Sequence, residues 1–308
     1  MGLAGYIIRR IFHALAVLFV VTLIVFVTIR LTGDPAAAML QSGQPTKQAI
    51  DALRHALGLD RPIWVQYYLF VVGVLHGNLG VSYATGQPVS SLIASRLGAT
   101  AVLAVAGILV GALIAFPVGI ISALRPNTAI DLAGRVFALF GISFPNFWLG
   151  IMLITIFSVG LHWFPASGYG TVQSLVLPAV TLGLILAGIQ SRLIRSSLLE
   201  TLRQDYVRTA RAKGLVERVV IFRHALRNAL IPVVTYMGST FGLLLGGIVF
   251  VEVVFAWPGI GSLALTAVEQ RDFPLVQGIV IVTAAILVLM NLLVDLSYLL
   301  LDPQIHLE

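Results

Sequence analysis

The side chains best placed to do work in this chain lie in one stretch, Asp205-Tyr-Val-Arg-Thr-Ala-Arg-Ala-Lys-Gly-Leu-Val-Glu-Arg-Val-Val-Ile-Phe-Arg-His-Ala-Leu-Arg-Asn-Ala-Leu-Ile-Pro232. Residues 192–227 hold nine of the nineteen Lys and Arg residues of a chain that is only 10% charged. The chemistry these residues offer is recognition. As a helix over Leu198–Lys213, Leu198, Leu202 and Val207 line an apolar side, while Arg203, Arg208 and Arg211 take more polar positions. Ala210 and Gly214, four apart, share a face on which another surface can approach the backbone closely. Gly214 suits a left-handed position just past the helix, with Lys213 at the negative end of its dipole. A second short helix, about Val216–Arg227, then leads back to an apolar run at Ile231-Pro232. Charge alone fits a solvated basic loop, but Tyr206, Val207, Ile221 and Phe222 are more than such a loop requires.

Catalytic patterns are absent. A P-loop needs Gly-x4-Gly-Lys followed by Ser or Thr. The two lysines, Lys47 and Lys213, stand in neither such context, so any ATP that drives this protein must be hydrolysed on another chain. There is no cysteine, which excludes disulfides, thiolate metal sites and thiol nucleophiles. Neither Gly-x-Ser-x-Gly nor His-Glu-x-x-His occurs. The six histidines are scattered over loops and span ends, and His162 beside Trp163 suits a membrane interface. Ionisable residues inside apolar runs are functional candidates. Glu252 lies near the outer end of one run and Asp295 near the inner end of another. Each can carry function, or reach an interface or a neighbouring backbone group.

These residues are set in an integral membrane protein: 58% of the chain is hydrophobic and its mean hydropathy is +0.99, far above soluble-protein norms. Runs long enough for a bilayer helix of about 20 residues are Ile11–Ile29, Ala101–Ile121, Val136–Leu161, Ala229–Val251 and Leu275–Leu301. A sixth, Leu175–Ile189, is short, carries Pro178 and is expected inside the bundle. Six spans put both termini on one side. Thirteen Lys and Arg residues then fall on the face holding the basic loop and six on the other, which makes the first face cytoplasmic. The net charge of +6 reads as topology, not as a nucleic-acid footprint. Ala36-Ala37-Ala38 resembles a leader cleavage site, but the preceding run is longer than a leader's apolar region and Arg30, Asp34 and Pro35 intervene. An uncleaved first helix is expected.

Between the first two spans lies an outer segment. Thr46 can cap a helix whose Ile50, Leu53 and Leu57 share a face, and Gly58 can close it. The next helix, from Ile63, carries Trp64, Tyr67 and Tyr68 as interface residues and is expected along the membrane surface. The segment serves as a structural cap or as a docking surface for an external partner.

With these residues in place, the sequence resembles the permease subunits of ATP-binding-cassette (ABC) importers, whose cytoplasmic Glu-Ala-Ala-x3-Gly loop docks on an ATPase. Arg208-Thr209-Ala210-x3-Gly214 aligns with that pattern, Ala210 and Gly214 matching. The longer string Asp205–Gly214, followed by Arg223-His-Ala-Leu-Arg-Asn-Ala-Leu-Ile-Pro232, is similar to the dipeptide/oligopeptide/nickel permease group. Its B-type member is resembled over essentially the whole chain: Tyr6-Ile-Ile-Arg-Arg10, Leu57-Gly-Leu-Asp-Arg-Pro62, Gly77-Asn-Leu-Gly-Val-Ser82, Phe144-Pro-Asn-Phe-Trp148, Pro165-Ala-Ser-Gly-Tyr169, Glu252-Val-Val-Phe-Ala-Trp-Pro-Gly-Ile-Gly261, Arg271-Asp-Phe-Pro274 and Asn291-Leu-Leu-Val-Asp295. Asn78, Gly98 and Gln304 depart from the pattern.

The resemblance implies an all-α integral membrane protein of six transmembrane helices with an amphipathic outer segment between helices 1 and 2, the type I ABC importer permease fold. It divides the chain into a first helix (1–32), an outer cap (33–95), a transmembrane domain (96–301) with a coupling loop (198–228), and a cytoplasmic tail (302–308). It implies a non-catalytic subunit of the bacterial inner membrane that binds no cofactor or metal, ATP and Mg being held by partner ATPase subunits. The other implied partners are a homologous C-type permease, two ATPase subunits or one fused ATPase chain, an extracytoplasmic peptide-binding protein and membrane lipids; nucleic acid is not among them. Coupling falls to Tyr206, Val207, Arg208, Thr209, Ala210, Arg211, Ala212, Lys213 and Gly214. The path or outer gate falls to Glu252, Phe255, Trp257, Pro258, Gly259 and Asp272. Cargo is a dipeptide or oligopeptide, with nickel, glutathione and haem open. From another class, an ion-coupled carrier acting alone would need inverted repeats with paired broken helices, and a scaffold that moves no solute would need only the docking loop.

Overall fold

A computed structural model describes residues 3–32, 36, 46–56 and 58–301 of the chain. Leu57, the small-residue stretch from Ala37 and the tail 302–308 lie outside the described residues. The first span is α1 (Leu3–Thr32), followed by two short helices, α2 (Lys47–Ala56) and α3 (Ile63–Leu75). Thr46 starts α2, its Oγ1 accepting from the Ala49 N–H at 3.3 Å, and Gly58 turns the chain beyond it at φ +64°. The thirteen residues of α3 reach about 20 Å, short of a hydrocarbon core of about 30 Å. Trp64 and Tyr68 are exposed, as interface anchors are. Tyr67 is not an interface residue of that kind. It lies on the face of α3 that meets α1, its hydroxyl 3.0 Å from Thr22 Oγ1 and its ring edge-on to Phe26 at 5.2 Å. Gln66 fastens the same face, accepting from Arg30 Nε at 3.0 Å and donating to the carbonyls of Leu59 and Arg61.

The centre of the bundle is the long seam between α4 (Val89–Leu124) and α7 (Val172–Thr201). The short apolar run at Leu175–Ile189 does pack inside, but within a helix of 30 residues about 45 Å long. That helix is started by a Thr171–Ser174 capping box. Glycines let the two helices close up. A Cβ on Gly119 would lie 2.7 Å from the Ser191 carbonyl oxygen, and one on Gly111 would lie 3.0 Å from Leu186 Cβ. Where lipid offers no hydrophobic drive for association, close approach of this kind is the main source of helix attraction.

Two expected spans are not single helices. Val136–Leu161 divides into α5 (Ala129–Ser143) and α6 (Asn146–Gly160, π-wound from Ile154), with a bend of 101° between them. The cause is Pro145: a residue before proline is driven out of the helical region, and Phe144 is extended at φ −86°, ψ 134°. Ala229–Val251 likewise divides. After α8 (Asp205–Ala212), helix α9 (Glu217–Ala229) meets α10 (Ile231–Leu245) at 42°, with Pro232 in the first turn of α10. Gly247, at φ +114°, then separates α10 from α11 (Val249–Val254). The chain ends in α12 (Ile260–Glu269) and α13 (Phe273–Leu301). Among the described residues, α1, α4, α7 and α13 are each long and apolar enough to cross a membrane, and the bent pairs α5–α6 and α9–α10 bring the number to six.

The continuous helix expected over Leu198–Lys213 is also interrupted, at Leu202–Gln204. A straight helix would carry Val207 about 13 Å past Leu198. The turn folds it back, so that Leu198, Val207, Ala210, Val220, Ala225 and Ala229 form one buried cluster with Ala123 of α4.

Gly119→Leu is expected to overpack the α4–α7 seam and cost about 1–3 kcal/mol, visible as a lower thermal midpoint of the detergent-solubilised protein. Gly98→Leu, at a position with no neighbour within 4 Å of a Cβ, is expected to leave the midpoint unchanged.

Candidate functional site

The end of the bundle remote from α8 is organised by one carboxylate. Glu252 is fully buried. Its Oε1 accepts from Thr100 Oγ1 at 2.7 Å and its Oε2 from the Ser262 N–H at 2.8 Å. Thr100 Oγ1 in turn accepts from the Ile260 N–H at 2.8 Å. Glu252 and Thr100 thus satisfy the free N–H groups that open α12, at the positive end of its dipole. Glycine is required at 259 and 261, because a Cβ on Gly259 would run into the carboxylate and one on Gly261 would lie 2.9 Å from Oε2.

The neighbouring candidates are part of the same packing. Trp257 is buried, donates from Nε1 to the Ala99 carbonyl at 2.8 Å and meets Tyr169 edge-on at 4.9 Å. Phe255 is buried where Gly150 of α6 leaves room for its ring, and Pro258 is half-buried in the turn. Glu252, Phe255, Trp257, Pro258 and Gly259 therefore come together as a closed knot that joins α4, α6, α11 and α12. Asp272 is elsewhere, beyond the far end of α12. Fully buried, it accepts from Ser82 Oγ and from the backbone N–H groups of Tyr83 (3.1 Å) and Ala84 (3.3 Å), and caps α13 through the Leu275 N–H at 3.3 Å. It ties the turn at Ser82–Ala84, ahead of α4, to the last span.

At the opposite end, α8 presents an exposed face made of Tyr206, Arg208, Thr209, Arg211, Ala212 and Lys213, with Gly214 beyond it. Gly214 has φ +77° and open space around it. Ala210 does not share that face. Only 7% exposed, it turns with Val207 into the chain's own cluster, because the break at Leu202–Gln204 rotates α8 onto α4 and α9. The exposed side is fixed by an Arg211–Glu217 pair at 2.7 Å, which raises the arginine pKa further through the hydrogen bond, and by Asn228 Nδ2 donating to the Tyr206 hydroxyl at 2.9 Å.

A second buried carboxylate braces this end. Asp131 of α5 is fully buried and takes a two-pronged contact from Arg195 of α7, Nε to Oδ1 at 2.6 Å and Nη2 to Oδ2 at 2.8 Å, with the Asn127 N–H adding a third donor at 2.9 Å. Such fork-on-fork pairs are strong and directional. Asp295 also has a partner, Arg10 of α1 at 2.8 Å. Sequence reasoning missed Asp131, Thr100, Ser262 and Ser82. The pattern Thr128-x-x-Asp131 is a legible helix-start signal, and Thr128 does cap α5. The partners Arg195, Thr100 and Ser82 lie 64 to 190 residues away from the carboxylates they serve.

Residues 115–307 match the family described as the binding-protein-dependent transport system inner membrane component, and residues 3–104 match its N-terminal membrane component. The chain belongs to this family. It is a multi-pass inner-membrane permease component of an ABC importer and not itself an enzyme. A Brucella suis biovar 1 (strain 1330) protein whose name places it among peptide permeases is 44% identical, covering 97% of this chain and 98% of that protein. A glutathione transport system permease of Salmonella choleraesuis (strain SC-B67) is 41% identical over 98% of this chain and 99% of its own. A solved structure of an amino acid ABC transporter superposes with a TM-score of 0.52 at 16% identity, covering 70% of this chain and 95% of that one. That likeness carries the fold, the type I importer permease arrangement.

Thr100→Val is expected to leave Glu252 Oε1 and the Ile260 N–H without a partner and to cost about 1–3 kcal/mol, read by chemical or thermal unfolding. Arg195→Ala, which leaves the buried Asp131 carboxylate only the Asn127 N–H and the more distant Arg135, is expected to cost about 1–3 kcal/mol. Pairing it with Asp131→Ala is expected to recover part of that loss in a double-mutant cycle.

Proposed function

We propose that this chain is one of two permease subunits enclosing the translocation path of an ATP-driven importer for dipeptides, oligopeptides or a small peptide such as glutathione. The observation that carries this reading is similarity over nearly the full length of both chains to permeases named for peptide and glutathione transport. In this reading a homologous C-type permease completes the path. Two ATPase subunits, or one fused chain, bind ATP and Mg below it, and an extracytoplasmic peptide-binding protein delivers cargo. The end bearing the basic loop, with both termini, is cytoplasmic, in keeping with its thirteen of nineteen Lys and Arg residues.

Tyr206, Arg208, Thr209, Arg211, Ala212, Lys213 and Gly214 meet the ATPase, while Val207 and Ala210 pass its movement inward through the cluster that α8 shares with α4 and α9. The α9–α10 arm carries that movement toward the knot at Glu252–Gly259, with Asp272 holding the outer cap. ATP-driven closure shifts the balance between inward- and outward-open states, to the extent that docking contacts differ between them. The alternative of a lone ion-coupled carrier is disfavoured by its carboxylates. Glu252, Asp272, Asp131 and Asp295 all sit toward the ends of the bundle and are engaged in the contacts described above.

Ala212→Trp, at an exposed helical position, and Gly214→Trp are expected to cut ATP-dependent peptide uptake in membrane vesicles roughly tenfold, within the range of ordinary coupling energies. Folding and ATP hydrolysis by the complex are expected to persist in Ala212→Trp, which introduces no positive-φ strain. Unimpaired uptake in both variants overturns the coupling role.

A further inference from the structure

Between the basic ends of α4, α5 and α7 lies a cavity of about 240 Å³ bounded by Val118, Ser122, Ala138, Leu139, Ser191 and three arginines. On α4 and α5 the polar and apolar lining positions are one helical turn apart, Arg135 before Leu139 and Ser122 after Val118, about 5 Å along each helix. Around the mouth the charges do not cancel. Asp131 is consumed by Arg195, Arg135 stands off it at 3.8 Å, and Arg192 has no acidic partner among the described residues. The bidentate contact uses Arg195 Nε and Nη2, which leaves Nη1 over.

A second, independent feature is Ser122. It is 2% exposed, lines the cavity, and its hydroxyl has no hydrogen-bond partner among the described residues. A serine within a helix ordinarily bonds the carbonyl one turn back, as Ser143 and Ser196 do here. The Ser122 hydroxyl opens onto the cavity beneath the three arginines, where a ligand's oxygen can accept its hydrogen bond.

We propose that this cavity is a binding site for an anionic phospholipid. The lipid phosphate is held by Arg135 and Arg192, with Arg195 fixed beside them by Asp131. The Ser122 hydroxyl donates to a glycerol-ester oxygen, and the start of one acyl chain fills the space against Val118, Ala138 and Leu139. At about 30 Å³ per water the cavity holds some eight waters' volume, enough for part of one chain but not for a whole lipid. The rest lies along the exposed apolar face of α5, made by Leu132, Val136 and Phe140. Basic pockets between transmembrane helices favour acidic headgroups over zwitterionic ones for the same electrostatic reason.

The test is native mass spectrometry of the full-length chain extracted in its own complex and exchanged against phosphatidylglycerol or phosphatidylcholine. Phosphatidylglycerol is expected to stay bound and phosphatidylcholine to leave. The exposed-site double variant R135Q/R192Q is expected to retain roughly thirtyfold less phosphatidylglycerol, the scale set by two surface cations, and R135K/R192K to keep most of it. Equal retention of both lipids, or undiminished retention in R135Q/R192Q, overturns the proposal. Displacement of the lipid by inorganic phosphate makes this a free-anion site and also overturns it. So does lipid bound by the separated chain but excluded from the complex, which makes the face a subunit contact.

Discussion

Apolar helices gain little from leaving lipid for one another, so the bundle depends on how closely α4 and α7 can approach. That approach is a matter of missing atoms. Gly107, Gly111 and Gly119 on one side and Gly183 on the other leave no room for a Cβ, and dispersion over that length takes the place of a hydrophobic drive. Both polar clusters are hung from the seam. At one end α4 lends Thr100 and the Ala99 carbonyl to the knot at Glu252. At the other, α7 lends Arg195 to Asp131 of α5, and α4 lends Ala123 to the cluster under α8.

The two ends are built by the same device in different chemistry. A buried carboxylate is tolerable only when its oxygens are supplied with donors. Glu252 finds a hydroxyl and a helix's opening N–H groups, and so joins a short helix to a long one. Asp131 finds a guanidinium, and so joins two spans. In each case the carboxylate lies on a short or bent element and its partner on the central pair, which gives the irregular parts of the chain a defined position against the rigid ones.

Much of this was legible in the sequence. The apolar runs located the membrane elements, the Lys and Arg distribution singled out one loop, and the strings around Asp205–Pro232 and Glu252–Gly261 pointed to the family. Thr46, Gly58 and Gly214 took the capping and turn positions their residue types suggest. Hydropathy counts side chains and is blind to backbone restriction, so it passed over the bend that Pro145 imposes through Phe144 and the break that Gly247 permits. The orientation of Ala210 was misread for a related reason: four-residue spacing fixes a face only while the helix continues, and the turn at Leu202–Gln204 resets it. Partners such as Thr100 for Glu252 and Arg195 for Asp131 are set by helix packing, which local pattern does not encode.

The knot at Glu252 has a further consequence for how the molecule meets its surroundings. Its donors are neutral and buried, so dissolved ions have no access to the field that holds it. The pairs that fix the face of α8, Arg211 with Glu217 and Arg208 with Asp205, are partly or largely open to solvent and weaken as mobile ions accumulate around them. The two ends of one permease therefore answer to different variables: the basic end to ionic strength, the opposite end to whatever can compete for a hydroxyl and a helix terminus in a dry interior.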